Sequence, residues 1–232
     1  MLFNVRSVPS FLSDEEVIEV RKKVHYLKPL WRHIKDFPIA KSAMLLAKQD
    51  PNLYKSAENQ HFLGDSLYVI EKLEEINWEI QESINYQFSP MYDRLQNTIG
   101  EITGLPAEYI PSIAVPGFHV FHGQQRPHPF EWHIDTTICR FDRKYKPENV
   151  YSFLCLIESP EDPAGLEYKD TTDWDSHEDL ETKIFTYDLG TLFLWKGDRI
   201  HRMKRFAMKE GESRITLQGH FVVHDGKALI HW

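Results

Sequence analysis

The second half of the chain consists of short β-forming segments separated by turns, and this pattern limits the fold more than any other feature. Residues 117–122, 150–157, 190–195 and 214–223 are rich in aromatic and β-branched side chains. Gly104, Leu105 and Pro106 separate this half from what precedes it. Short strands alternating with turns are typical of a barrel or jelly roll.

The first hundred residues have a helical pattern instead. Ser13 and Glu16 have capping-box spacing, which predicts a helix N-terminus there. Apolar residues at helical spacing indicate two helices whose stripes face a core, one carrying Val17, Val20, Val24 and Leu27 and the other carrying Leu67, Ile70, Leu73, Ile76, Ile80 and Ile84. We therefore predict an α+β, mainly β fold in one domain: residues 1–110 as helical support on the sheet and 111–232 as a jelly-roll core.

Composition narrows the classes of function. A net charge of −8 disfavours a general nucleic-acid binder, which needs clustered cations. We find neither a leader pattern at the start nor an apolar run long enough to cross a bilayer. Cys139 and Cys155 lie in apolar segments and are interpreted as reduced core thiols. These features predict a cytoplasmic protein without a membrane partner, and they leave its oligomeric state open.

The motif HxD occurs twice, and its context separates the two copies. His133 and Asp135 lie in a β-like segment, residues 130–138, where alternate side chains point the same way. His177 and Asp179 lie in the polar run 170–181, which is interpreted as a solvated insertion that could cover a substrate. His201 follows the strand-like residues 190–195 after a turn. Two histidines and one carboxylate on one face are typical of non-haem Fe(II) oxygenases.

Arg214 is a candidate anchor for a carboxylate. Its guanidinium offers a planar fork, and Thr216 shares its face of the predicted strand. A fork and a hydroxyl suit one end of a dicarboxylate whose other end chelates the metal. The alternative is a surface arginine that pairs with Glu212.

Several motifs, in order, resemble those of the Fe(II)- and 2-oxoglutarate-dependent oxygenases, with the layout of the prolyl-4-hydroxylase-like group. The opening PSFLSDEE at residues 9–16 is similar to the opening of that group, and GFHVFHG at 117–123 occupies the place of its strand before HxD. VYSFLCLI at 150–157 resembles the strand after HxD, and PAGLE at 163–167 its small-residue turn. His201 and the RIT sequence at 214–216 complete the resemblance, which spans residues 110–225.

The resemblance implies a double-stranded β-helix of the cupin-like type that binds Fe(II), 2-oxoglutarate and O2. It implies His133, Asp135 and His201 as metal ligands at the catalytic centre, and Arg214 and Thr216 as 2-oxoglutarate ligands. Members often have a tyrosine near the position of Phe121, so His119 is a candidate to make that co-substrate contact instead; the alternative is a strand histidine whose hydrogen bonds are satisfied within the fold.

The reaction that the resemblance implies is hydroxylation of an unactivated C–H bond, with release of succinate and CO2. The presence of Asp135 resembles hydroxylases rather than halogenases. We expect a small polar substrate, such as an amino acid or a natural-product precursor. Arg126, Arg140 and Arg143 are candidates for meeting a substrate carboxylate, and residues 31–60 form an irregular segment that could cross the mouth.

Other functions stay open at the level of sequence. The same oxidant could catalyse desaturation or ring closure, or act on a peptide or protein. A zinc hydrolase also uses two histidines, a carboxylate and a water, but it has no need of Arg214. A noncatalytic jelly-roll binding module would leave the histidines incidental.

Overall fold

A computed structural model describes residues 2–33, 60–67, 70–123 and 131–232. Most of the predicted mouth segment, the predicted strand residue Phe130 and the candidate ligand Arg126 lie outside these described residues. Among the described residues, no helix is long and apolar enough to cross a membrane.

The described elements are mostly strands. The strands are β1 (Val5–Val8), β2 (Arg32–His33), β3 (Gln60–Leu63), β4 (Ala107–Tyr109), β5 (Gly117–His122), β6 (Val150–Glu158), β7 (Gly165–Tyr168), β8 (Lys183–Thr186), β9 (Leu192–Lys196), β10 (His201–Met203), β11 (Ser213–His224) and β12 (Lys227–His231). The α-helices are α1 (Asp14–Tyr26), α2 (Trp78–Thr103) and the short α3 (Ile138–Phe141). The four segments predicted as strands in the second half correspond to β5, β6, β9 and β11.

Two sheets form the framework. Within the described chain, the larger sheet has the order β1-β9-β6-β11-β5-β3-β2, and β12 pairs with both β11 and β4. The smaller sheet has the order β10-β7-β8. Pairing is antiparallel except between β12 and β4. The long strand β11 is central, because it pairs along one side with β6 and along the other with β5 and then β12.

Helix α1 begins as the sequence predicts. Ser13 Oγ accepts the Glu16 N–H, and Glu16 Oε2 accepts the Ser13 N–H at 2.8 Å, which completes a capping box. The second predicted helix was wrong at its start. Leu67 and Ile70 lie before it, a 3-10 turn occupies Leu73–Glu75, and α2 begins only at Trp78, where the Asn77 side chain accepts the Ile80 N–H. The apolar residues before Trp78 contribute instead to a separate buried cluster that contains Trp232.

Each face of the large sheet has its own core. Val17, Val20 and Val24 of α1 share a cluster with Ile80 and Ile84 of α2 and with one face of the sheet. The opposite face of β6 and β9 packs toward the smaller sheet; this second cluster contains Leu154, Leu156, Phe193 and Trp195 together with Leu166 and Tyr168. The alternation of strand side chains therefore separates a helix side from an interior between the sheets.

Glycine at position 117 permits the C-terminus to pack on β5. A Cβ atom there would lie 2.0 Å from a ring carbon of Trp232 and 2.6 Å from the Leu63 carbonyl oxygen. The Trp232 N–H donates to the Ala114 carbonyl, and its own carbonyl accepts from the Leu67 N–H, each at 2.9 Å. The close approach thus fixes the end of β12 against the sheet.

Gly117→Ala is expected to lower the free energy of unfolding by about 1–3 kcal/mol, because the added methyl group forces the Trp232 ring or the backbone to move. Gly100→Ala is the matched control. Its Cβ would meet only ordinary contacts with Leu105 and Ala107, just beyond the end of α2, the nearest at 3.4 Å, so this change is expected to raise the same quantity by about 0.5–1 kcal/mol. Urea denaturation followed by circular dichroism measures both, and equal effects of the two changes would contradict the packing described here.

Candidate functional site

The segment that carries His133 and Asp135 is held by the backbone that leads to His201. His133 and His201 exchange two N–H···O=C hydrogen bonds of 2.9 Å, and the Asp135 N–H donates to the Gly197 carbonyl at 2.6 Å. The strand predicted around HxD was wrong, because the pairing is an isolated bridge and α3 begins at Ile138. Two local contacts with the distal segment replace a continuous ladder.

The structure brings the three predicted ligand residues together. One donor atom from each of His133, Asp135 and His201 lies within 4.8 Å of the others. His201 Nε2 is 2.9 Å from Asp135 Oδ2, and His133 Nε2 is 3.7 Å from Asp135 Oδ1. The side chain of His201 is 2% exposed and that of His133 is 41% exposed. Solvent therefore reaches the cluster from the His133 side.

Backbone contacts prepare both imidazoles to bind a metal. The Nδ1 atom of His133 lies 2.9 Å from the Glu131 carbonyl oxygen, and that of His201 lies 2.7 Å from the Arg199 carbonyl oxygen. Since a carbonyl only accepts, each Nδ1 carries a proton, and each Nε2 is the ring nitrogen that faces the cluster and would bind a metal. Two nitrogen lone pairs and a carboxylate in such proximity are stable only with a cation or a proton among them. The donor set fits a divalent metal with open positions.

The charges of the cluster are coupled. Burial alone would disfavour the ionised carboxylate, but the charge of His201 and its hydrogen bond outweigh burial and lower the pKa of Asp135. The same ion pair overcomes the effect of burial on His201 and raises its pKa. A deprotonated Asp135 is the form that a metal requires.

Two further residues extend this cluster, and the sequence analysis missed them. Ser152 Oγ is 2.7 Å from Asp135 Oδ2 and 3.0 Å from His220 Nδ1. Ser152 and His220 face each other across β6 and β11. The available signal was a polar residue at an interior position of an apolar strand, since Ser152 interrupts the hydrophobic run of β6.

Arg214 is buried, with 1% of its surface exposed, so the alternative of a surface arginine is not what the structure shows. No carboxylate among the described residues forms an ion pair with it, and its Nε has no hydrogen-bond partner in that part of the chain. Its guanidinium carbon lies 5.7 Å from the ring centroids of both Phe121 and Phe206. Burial lowers its pKa to about 10, so the group stays charged at neutral pH. A buried cation with no carboxylate partner among the described residues fits an anionic ligand.

Thr216 and His119 lie beside Arg214 on paired strands. Thr216 opposes His119 across β11 and β5, and its Oγ1 accepts from Gln218 at 3.1 Å and, at the long limit of 3.5 Å, from Arg214. The His119 ring lies 4.6 Å from the ring of Phe62 and from that of Phe121, and its Nε2 is buried without a partner. Burial, with the nearby charge of Arg214, lowers the pKa of His119 to about 3. It is therefore a neutral group with one free hydrogen-bonding atom.

Tyr187 is buried, and the charges of Arg214 and Asp135 both affect its pKa. Burial raises its pKa; the charge of Arg214 lowers that pKa and the charge of Asp135 raises it. The phenol is thus within electrostatic reach of both charges, and the two charges share one interior. No pattern in the sequence marks Tyr187, because it follows the exposed strand β8 rather than lying in an alternating pattern.

Several residues singled out in the sequence lie away from the cluster. His177 and Asp179 belong to a 3-10 turn of the polar insertion, and His177 Nδ1 donates to the Trp174 carbonyl. Arg140 and Arg143 are exposed, on and just after α3.

Trp195, in contrast, lies at the cluster. It is buried, and its ring centroid lies 5.4 Å from that of His201, so it forms part of the wall behind that imidazole.

The polar insertion, residues 170–181, is nonetheless held beside the cluster of His133, Asp135 and His201. The buried Lys169 ammonium donates to the carbonyls of His177 and Leu180. The insertion also packs against Trp132, the neighbour of His133. The ring centroids of His177 and Trp132 are 6.2 Å apart. Arg202 covers the same indole, with its guanidinium carbon 4.1 Å from the ring centroid.

Comparisons of sequence and of structure give different results. No family model and no curated protein matches the sequence. The non-haem α-ketoglutarate-dependent epimerase SnoN from nogalamycin biosynthesis matches in structure with a TM-score of 0.55 at 10% identity, over 96% of this chain and 80% of that one. A 2OG-Fe(II) oxygenase family oxidoreductase from Burkholderia pseudomallei matches with a TM-score of 0.54 at 12% identity, over 97% and 86%.

The chain has the fold of the Fe(II)/2-oxoglutarate-dependent oxygenases. EctD from S. alaskensis, whose structure contains 2-oxoglutarate and 5-hydroxyectoine, also matches, with a TM-score of 0.50 at 14% identity over 94% of this chain and 71% of that one. The predicted jelly-roll class is thereby confirmed at the level of two mostly antiparallel sheets.

Arg214→Met is expected to raise the free energy of unfolding of the ligand-free protein by about 1–3 kcal/mol, because it removes a buried charge that has no counter-ion among the described residues. Arg202→Met is the control, since Arg202 pairs with Glu167 at 2.6 Å and its loss is not expected to stabilise. Thermal and urea unfolding in a buffer without carboxylates measure both. Destabilisation by Arg214→Met would show that the guanidinium has a structural anion.

Proposed function

We propose that this protein is a non-haem Fe(II)- and 2-oxoglutarate-dependent dioxygenase that hydroxylates an unactivated C–H bond of a small molecule. His133, Asp135 and His201 hold the iron in this proposal. Arg214 and Thr216 bind the distal carboxylate of 2-oxoglutarate. The whole chain acts as one catalytic domain, in which α1 and α2 support the helix side of the sheet.

The observation that carries the proposal is the buried guanidinium of Arg214, which has no carboxylate partner among the described residues and shares an interior with the donor atoms of His133, Asp135 and His201. A hydrolytic metal site needs a water and a substrate, but it does not need a second, permanently charged site inside the protein. A dicarboxylate with a 2-oxo acid at one end satisfies both sites at once, since one end chelates and the other neutralises Arg214. The fold comparison independently supports this co-substrate.

His119 is proposed as a third contact to the co-substrate. Its Nε2 is buried beside Arg214 without a partner among the described residues, and its neutral ring can join a hydrogen bond there without adding charge. The rings of Phe62 and Phe121 fix its orientation on either side. In this proposal His119 occupies the role that a tyrosine has in many members of the group.

Bound Fe(II), with 2-oxoglutarate and O2, supplies the oxidising chemistry and releases succinate and CO2. The chain's own residues position the reactants and exclude water. Asp135 keeps a carboxylate at the position where halogenases have a small residue, which favours hydroxylation. Trp132 and the insertion held by Lys169 border the exposed side of His133, where a substrate would enter.

A small-molecule substrate is part of the proposal. It agrees with the bound 5-hydroxyectoine of EctD and with SnoN, whose structure has been determined with nogalamycin RO. A cytoplasmic enzyme is consistent with Cys139 and Cys155, which are both free thiols.

Anaerobic addition of Fe(II) and then 2-oxoglutarate is expected to produce a visible metal-to-ligand charge-transfer band, because the 2-oxo acid end chelates the metal. His133→Ala removes one of three ligands and is expected to abolish the band. His177→Ala removes the histidine of the other HxD copy and is expected to retain it. Absence of the band in folded, iron-loaded protein would refute the proposed function.

Arg214→Met is expected to weaken 2-oxoglutarate binding by about 10–100-fold, which corresponds to the loss of a charge-assisted pair of hydrogen bonds. Titration of the same band measures the affinity. 2-Oxobutyrate, which lacks the distal carboxylate, is expected to bind the variant and the unaltered protein equally. Equal affinity of both proteins for 2-oxoglutarate would remove Arg214 from the co-substrate site.

A further inference from the structure

A row of polar side chains crosses the interior next to the proposed metal. Ser152 on β6, His220 on β11 and His231 on β12 occupy directly paired positions, and all three lie on the same side of the sheet. Ser152 and His231 are buried, whereas His220 keeps part of its ring accessible. Only one end of this row contacts the metal cluster, through Ser152 and Asp135.

The hydrogen atoms in this row can be assigned. Asp135 Oδ2 can only accept, so Ser152 donates its single hydroxyl proton to it at 2.7 Å. That proton is then not available to His220, so Nδ1 of His220 carries its own proton and donates it to Ser152 Oγ at 3.0 Å. The opposite arrangement would place the Ser152 oxygen and a carboxylate oxygen 2.7 Å apart without a proton between them. The chain therefore runs from His220 to Ser152 to Asp135.

We propose that His220 is a positioning residue for the metal centre, and that it acts through Ser152. A serine hydroxyl rotates freely, and a donor at its lone pair leaves the carboxylate as the best acceptor for its proton. Ser152 then holds Oδ2 and restrains rotation of the Asp135 carboxylate. The other oxygen, Oδ1, faces His133 Nε2.

The packing around the chain supports this role. A Cβ atom at Gly197 would lie 2.9 Å from the Asp135 carbonyl oxygen and 3.2 Å from Ser152 Oγ. The glycine thus lets the HxD segment approach β6 closely enough for the hydroxyl to reach the carboxylate. His220 itself is not part of the group of donor atoms that could hold the metal. The hydrogen-bonded path from His220 to the cluster passes through Ser152.

His231 provides a matched comparison. Its ring centroid is 5.5 Å from that of His220, and neither of its ring nitrogens makes a hydrogen bond of ordinary geometry with the described residues. It is a buried histidine on the same face of the neighbouring strand, but it does not belong to the chain. Its replacement changes the surroundings of His220 without breaking the contact with Ser152.

The inference rests on the proposed metal site, and Co(II) titration of the whole protein, followed by its d–d absorption, tests it without turnover. Ser152→Ala and His220→Leu are each expected to weaken Co(II) binding by about 10–100-fold, the usual cost of losing an outer-sphere partner. His220→Asn keeps a donor near the Nδ1 position and is expected to restore most of the affinity. His231→Leu is expected to bind Co(II) as the unaltered protein does.

The double variant Ser152→Ala/His220→Leu separates positioning from a general structural effect. Because His220 acts through Ser152, the double variant is expected to bind Co(II) with the affinity of Ser152→Ala alone, and unfolding midpoints of the metal-free proteins report folding separately. Unchanged affinity in His220→Leu, or additive losses in the double variant, would overturn the inference. Failure of the unaltered protein to bind Co(II) would overturn the metal site itself.

Discussion

The alternation of side chains along β11 is the constraint on which the rest of the structure depends. Ile215 and Leu217 face the helices and belong to the main core, whereas Arg214, Thr216 and His220 face the interior. Since neighbouring side chains of a strand point to opposite faces, one segment contributes both to packing and to chemistry. A shift of this strand by one residue would bury the arginine among the helices and would remove the proposed anion site.

The interior contains buried polar groups that lower the stability of the fold. Arg214 is buried without a counter-ion, and His119 and His231 each have buried nitrogens without partners among the described residues. Unsatisfied buried polar groups lower stability. The apolar clusters on both sides of the large sheet offset this cost in stability. The polar residues therefore occupy alternate positions of strands whose other residues form the core.

Local patterns predicted β5, β6, β9 and β11 of the large sheet, because each is a run of strand-forming residues with an apolar face. The same rules failed around His133, where aromatic and β-branched residues pack about a site held by two backbone contacts instead of a ladder. They also failed between Leu67 and Trp78, where helical spacing was present but the apolar side chains pack around Trp232 instead. His133, Asp135, His201 and Arg214 were singled out from the spacing of motifs. Ser152, His220 and Tyr187 were not singled out, because the residues that they face in the structure are distant from them in sequence.

The polar insertion is attached in an unusual way. Lys169 holds it through main-chain carbonyl oxygens, which every residue type possesses. Side chains at His177 and Leu180 can therefore be exchanged while these hydrogen bonds stay the same, whereas Asp170 at the start of the insertion binds Arg199 and Asn4 through its own carboxylate. The sequence of most of this loop can therefore change independently of His133, Asp135 and His201 and of the sheet beside them.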